Sequence, residues 1–326
     1  MQIFCRDFGG DYCWVNERNT LDVTMEALIH ATETLVAPPL REAGLTGWHA
    51  LHFAYHKVYA VASVMVVNNN TIALPQGYNV LDQSEKTVLS YYTGMTIAQL
   101  VADQILGITE PIHARSMKEC GLLETDAESR SIPDIVGRDN SGNWHVIEAK
   151  CRNRRPDEEK INDWKLKQAQ AVMTINGVPP QGTTSCCITS QWRNYCVDFV
   201  DPASEDETHG KEKEKVDMKI DTDDLRRCYY QPFVDLFKDR DLRESYQKNE
   251  ILFKPLASDP LHKETCCIGI RKSVLDQAIN REPFSGRKYE SKKGLYVGSD
   301  GIAVKLLPYT RLHDCKKSYR HKRKRA

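Results

Sequence analysis

Charge of one sign is what this sequence most clearly lacks: Lys and Arg number 45, and so do Asp and Glu. That balance excludes a whole-molecule pull on nucleic acid or an anionic membrane, so any such footprint has to be local. No apolar run is long enough for a bilayer passage. The most apolar stretch, Trp48 to Val67, is interrupted by His49, His52, His56 and Lys57. The opening residues Met1 to Asp7 have neither a basic start nor an apolar stretch of signal-peptide length, which predicts a cytoplasmic protein in a reducing compartment. None of the 11 cysteines forms a C-x-x-C pair, which argues against a zinc-finger type of site. Cys186-Cys187 and Cys266-Cys267 lie in strand-like apolar runs and read as small buried thiols. A glycine-rich phosphate loop is missing too, so no nucleotide cofactor or NTP-driven motor is expected. No internal repeat is evident.

What remains is a globular composition over 326 residues, enough for one large domain or two modest ones. Its most informative segment is Ile132-Pro133-Asp134-Ile135-Val136-Gly137-Arg138 followed by Trp144-His145-Val146-Ile147-Glu148-Ala149-Lys150. Alternation along a strand puts Glu148 and Lys150 on one face. If Asn140-Ser141-Gly142 is a three-residue hairpin loop with Gly142 left-handed, Asp139 pairs with Asn143 and Asp134 falls opposite Glu148. Two carboxylates that close repel unless a divalent cation lies between them. Phosphodiester hydrolysis needs a nucleophile made from water, neutralisation of charge on the phosphoryl oxygens and help for the leaving oxygen, and Mg²⁺ held by two carboxylates addresses all three. Lys150 serves that chemistry either as an ammonium that stabilises the transition state or as a base with a lowered pKa.

A Pro-Asp at a strand start, a short hairpin and Glu-x-Lys ending the next strand resemble the PD-(D/E)xK, or restriction-endonuclease-like, nucleases. The matching residues are Pro133, Asp134, Glu148 and Lys150, with context from roughly Ser84 to Gln191, about a third of the chain. The resemblance implies an α/β fold: a mixed-sheet restriction-endonuclease-like core with helical N-terminal and α+β C-terminal additions. It also implies that Asp134 and Glu148 bind Mg²⁺, with Mn²⁺ able to substitute, that the main-chain carbonyl of Ala149 assists, and that Lys150 positions or activates the attacking water. Members often carry another acid on a helix before the Asp strand, which would here be Asp103. The implied activity is Mg²⁺-dependent DNA endonuclease cleavage, in restriction or anti-phage defence. The alternatives are a nuclease-like DNA-binding or assembly subunit that needs a partner to cut, and a hydrolase of another phosphoester. One site per chain cutting both strands calls for a homodimer or larger complex.

Around this motif the chain divides into 1–83, mainly helical; 84–200, the nuclease core; 201–224, a charged linker or loop; and 225–326, an α+β extension with a basic tail. Apolar spacing predicts a helix from Asn19 to Leu35, capped by Asn19 or Thr20 and stopped by Pro38-Pro39. A second opens near Asp82 or Ser84, passes Gly94 and ends at Gly107, packing under the sheet. The first core strand is placed near Ile112 to Lys118. After the basic Arg152, Arg154 and Arg155, a helix is read from Glu158 to Asn176 and a strand from Thr183 to Ser190. Ile161, Trp164, Val172 and Ile175 make that helix's apolar stripe, with Gln168 inside it and Lys165 at its flank. These two either reach the site or the nucleic-acid backbone, or Gln168 is a core-edge residue bonded to a carbonyl. Residues 201–224 hold almost no large apolar side chains and cannot bury a core. Leu225 to Lys238 reads as helix, and Gly294 to Pro308 as a hairpin turning at Ser299-Asp300-Gly301. Lys316-Lys317 and the run Arg320 to Arg325 suit phosphate contact, nuclear import or a solvated tail. His49, His52 and His56 share a helical face, but with no acid or cysteine beside them a packed or surface helix is the expectation.

Overall fold

The computed structural model describes residues 1–63, 66–68, 71–74, 76–125, 132–152, 154, 156–161, 172–181, 183–191, 194–201, 216–238, 246–248, 250–259, 264–282 and 286–308. The architecture is mixed α/β with mixed sheets. The central sheet has eight strands: β1 (Gln2–Arg6), β2 (Val66–Asn68), β3 (Thr71–Ala73), β4 (Ile112–His113), β6 (Ile135–Arg138), β7 (Trp144–Arg152), β9 (Thr183–Gln191) and β10 (Asn194–Val200). A small sheet joins β5 (Glu124–Thr125), β11 (Val216–Lys219) and β8 (Val172–Ile175). A third sheet is formed by β12 (Tyr246–Lys248), β13 (Ile251–Asp259), β14 (Glu264–Arg271), β15 (Glu290–Lys292), β16 (Leu295–Val297) and β17 (Ile302–Pro308). The helices are α1 (Met25–Glu42), α2 (Gly47–Ser63), α3 (Gln83–Val101), α4 (Ala114–Glu119), α5 (Thr222–Lys238) and α6 (Lys272–Asn280).

Strands β4, β6 and β7 run as an antiparallel meander, β9 lies parallel to β7, and β10 returns antiparallel on β9. A parallel neighbour needs a crossover connection, and residues 158–161 open a helix in that connection. The two faces of the sheet are packed differently. Ile135, Ile147 and Cys151 join Ile97, Ala98 and Val101 from the α3 side, whereas Val136, Trp144 and Val146 join Met117, Met218 and Leu225. Gly94 is what lets α3 lie close, because a Cβ there would stand 3.2 Å from the Cys151 Cβ. Asp82 starts α3 with a capping box: its carboxylate accepts from Ser84 and Glu85 N–H, and the Glu85 carboxylate accepts from Asp82 N–H. The helix ends in a π-helical turn, Ala102–Leu106, closed by left-handed Gly107.

Helix α1 is buried almost all round and supplies side chains to both main cores. It is capped by Thr24, whose side chain accepts from Ala27 N–H, and not by Asn19 or Thr20. It also runs through Pro38 and Pro39, where a stop was expected. Each proline removes a helix donor at a cost of about 3 kcal/mol, and burial of both rings against neighbouring elements holds the helix together regardless. Four further expectations are corrected. Only Ile112–His113 is strand before α4 begins, because the His113 side chain caps that helix by accepting from Ser116 N–H. Val172–Ile175 is not the end of a helix but strand β8, paired with β11; two β-branched residues three apart suit either element, and partner strand pairing settled it. The charged segment includes β11, which buries Val216 and Met218, and α5 begins at Thr222. The first 83 residues, read as mainly helical, contribute β1, β2 and β3 to the central sheet. The hairpin at Ser299-Asp300-Gly301 lies where the sequence puts it. Lys165, Gln168, Trp164, residues 202–215 and the basic tail lie outside the described residues.

Candidate active site

The β6–β7 turn fixes the register on which the site depends. Asp139 N–H donates to the Asn143 carbonyl and Gly142 N–H to the Asp139 carbonyl, both at 3.0 Å. Gly142 has φ +85°, the left-handed conformation this loop requires. The Asp139 carboxylate locks the loop by accepting from Ser141 and Asn143 N–H at 2.8 and 2.9 Å. Despite burial, hydrogen bonds from His145, Tyr12 and Asn143 hold that carboxyl well below the usual carboxylate range. From there the ladder pairs Arg138 with Trp144, Val136 with Val146 and Ile135 with Ile147. One step further, at the end of β6, Asp134 meets Glu148.

Three groups therefore gather on the Val136–Val146 face, where the strand pair ends. Asp134 Oδ2 accepts from Ala149 N–H at 2.9 Å. A strand residue's N–H and C=O point to the same side, so the Ala149 carbonyl also faces the gap beyond β6, beside Asp134. Glu148 is 1 % exposed. Its Oε1 accepts from the Lys150 ammonium, and among the described residues no donor reaches its buried Oε2, while the Asp134 carboxylate lies against the same group. Burial, and after it the Asp134 charge, push the Glu148 carboxyl up to about 8, against the pull of Lys150. A proton held at so high a value marks where a cation would replace it. The buried Glu148 oxygen, the half-buried Asp134 and the strand carbonyl make a hard-oxygen donor set that fits Mg²⁺ or Mn²⁺. Among the described residues no three His, Cys, Asp or Glu side chains converge on a metal position. A cation here would thus keep open positions for water and substrate oxygens, as Mg²⁺ commonly does.

Asp103 belongs elsewhere. On the π-helical turn it is buried, and it accepts from Tyr296 O–H at 2.7 Å and Ser299 N–H at 2.8 Å. Beside it, His30 Nε2 lies 3.1 Å from Asp300 Oδ1, and Tyr229 O–H donates to Asp300 Oδ2 at 2.7 Å. Burial works against a charged His30, yet the Asp300 carboxylate lifts it above its ordinary value. This network joins α1, the end of α3, α5 and the β16–β17 hairpin, and among the described residues none of its hydrogen bonds reaches Asp134, Glu148 or Lys150. His49, His52 and His56 lie along α2; the His52 and His56 rings stand 5.7 Å apart, and burial with the neighbouring histidines lowers His52.

Residues that the motif does not name also flank Asp134. His113 is paired with Ile135, and Ala114 N–H donates to the Asp134 carbonyl at 3.0 Å. His113 Nδ1 accepts from Ser116 N–H and its Nε2 lies 2.9 Å from the Tyr91 hydroxyl, so Nε2 carries the proton when the ring is neutral. Burial lowers His113 and Lys57 alike. The only sequence signal for them was a tyrosine pair, Tyr91-Tyr92, on the helix already expected to underlie the sheet. No family model, curated protein or solved structure matches the chain.

Proposed function

We propose that the protein is a Mg²⁺-dependent DNA endonuclease of the PD-(D/E)xK kind. The observation that carries this reading is the buried Glu148 carboxyl, set against Asp134 and beside Lys150 on one face at the end of a strand pair, with no donor on its Oε2 among the described residues. The order of strands supports it: an antiparallel meander, a crossover and a parallel strand follow one another as the resemblance calls for. Bound at Asp134, Glu148 and the Ala149 carbonyl, Mg²⁺ would supply a water of lowered pKa and neutralise charge on the phosphoryl group. The chain's own residues do the rest. Glu148 would give up its proton to the cation, Asp134 stays anchored by Ala149 N–H, and Lys150 stands beside Glu148 on the face where phosphate would arrive. Cutting both strands from one site per chain calls for a homodimer.

One observation favours the alternative, a DNA-binding or assembly subunit that cuts only with a partner: two acids rather than three converge among the described residues. Incubating the purified protein with supercoiled plasmid in Mg²⁺, Mn²⁺ or EDTA, beside Asp134→Asn, separates the readings. Metal-dependent nicked or linear product, lost in the variant, is the expected result. DNA retained without cutting under any condition would transfer the assignment to the binding subunit.

A further inference from the structure

Between α1, α2, α3 and α4 lies a cavity of about 270 Å³, whose lining includes Lys57, Tyr91, Tyr92, His113, Ser116 and one acid, Glu119. Its volume sits just below the range of about 300–1,000 Å³ usual for small-molecule sites, which leaves room for one planar ring system. The rim is aromatic and cationic. Phe53 and Tyr91 are each 48 % exposed. The Lys57 ammonium stands 5.3 Å from the Phe53 ring centre and 5.0 Å from that of Tyr92. Among the described residues no hydrogen-bond acceptor reaches that ammonium, although Lys57 is half-buried. A cation held between rings, with its hydrogen-bonding capacity unspent, suits an anion attached to something flat. The rim is continuous with the candidate active site: Tyr91 meets His113 Nε2 at 2.9 Å, and the residue after His113 donates to the Asp134 carbonyl.

We propose that Phe53, Lys57, Tyr91 and Tyr92, with the cavity behind them, form a subsite for one unstacked nucleotide of the DNA next to Asp134. Its base stacks on the rings and its phosphate pairs with Lys57. The substrate is then single-stranded or frayed DNA in preference to intact duplex. Every base offers a flat π-face, so such a subsite is tolerant of sequence. The inference rests on the nuclease reading for the role of Asp134, but the binding it describes needs no metal.

The test is fluorescence anisotropy in EDTA with a fluorescein-labelled oligothymidylate of about twenty nucleotides and a hairpin duplex of similar length, using the full chain, Phe53→Ala and Lys57→Met. Each variant is expected to weaken single-strand binding about 5- to 100-fold and leave hairpin binding unchanged. Thermal unfolding checks that both variants fold; Phe53 is exposed and Lys57→Met keeps the apolar stem. Single-strand affinity equal to the parent's in both variants overturns the subsite, as does an equal loss on the hairpin. So does free thymidine monophosphate that occupies the cavity while neither variant alters oligonucleotide binding. If the parent cuts nothing yet the variants lose single-strand affinity, the nuclease reading fails and the subsite stands. If the parent cuts and both variants bind like it, the subsite alone fails.

Discussion

Two pairs of acids among the described residues are finished differently. Asp103 and Asp300 are met by Tyr296, Ser299, Tyr229 and His30, and Asp300 Oδ1 also accepts from Ile302 N–H. Asp134 and Glu148 have Ala149 N–H, Lys150 and each other, and among the described residues one Glu148 oxygen has no donor. Burying a carboxylate is costly unless its lone pairs are filled. Filled lone pairs mark the first pair as part of the framework that joins α1 to the β16–β17 hairpin. The donor missing from the second pair, together with the closeness of its two carboxyls, is what the proposed cation site rests on.

The comparison is broken most sharply on the side of activity. Asp134→Asn, which keeps the acceptor for Ala149 N–H, and Lys150→Ala are each expected to cut plasmid about 10³-fold more slowly, with an unfolding temperature close to the parent's. Activity within tenfold of the parent in a clean preparation would undo the site. The opposite pattern is expected of Asp300→Ala, which strands a buried His30: a stability loss of about 3–5 kcal/mol in urea unfolding, with unchanged cleavage per folded molecule. If Asp300→Ala removed cleavage and left stability alone, the two pairs would have been assigned the wrong way round.

Glu148 sharpens the comparison through pH. Its folded pKa, about 8, is raised above the ordinary value of 4.5. Its contribution to stability is therefore fully present below that ordinary value and is lost as pH rises through about 8. In EDTA the unfolding temperature should fall over that window. Glu148→Gln should flatten the fall, and Mg²⁺ should reverse it in the parent alone, releasing protons as it binds. A metal-free pH profile that is the same in both proteins would show that Glu148 carries no such proton. The smallest effect is expected at the turn: Gly142→Ala, at φ +85°, should cost about 1–2 kcal/mol, read as a lower urea midpoint at unchanged slope.

The geometry that brings Asp134 and Glu148 together was more legible than the fold around it, and the reason is locality. Asp134, Glu148 and Lys150 are positioned by one hairpin, so a loop length and a period of two suffice to bring them together. The Asp82 cap, Gly94 and the Gly107 stop were readable for the same reason. Asp103 was misplaced because nothing local distinguishes an acid that accepts from Tyr296, nearly two hundred residues on, from one that faces a metal. The helix read through Val172–Ile175 failed where β11 supplied a partner from across a highly charged segment. Pro38 and Pro39 were taken as a stop because propensity cannot see the packing that overrides it. Lys57, Tyr91 and His113 come from three elements and share no motif, so only the folded chain assembles them.

Strand β1 sets the order in which the molecule can be completed. Gln2 to Arg6 pair in parallel with Cys196 to Val200, on the strand that follows the core's crossover. Residues Gln2 to Arg6 must therefore wait for nearly two hundred further residues before their place in the sheet exists. Closing so long a loop late makes assembly slow and leaves an unpaired strand exposed in the meantime. Strand β1, like β3 on the same partner, can be laid only once β10 is in place, and a larger side chain at the buried Ile3 would interfere at that step.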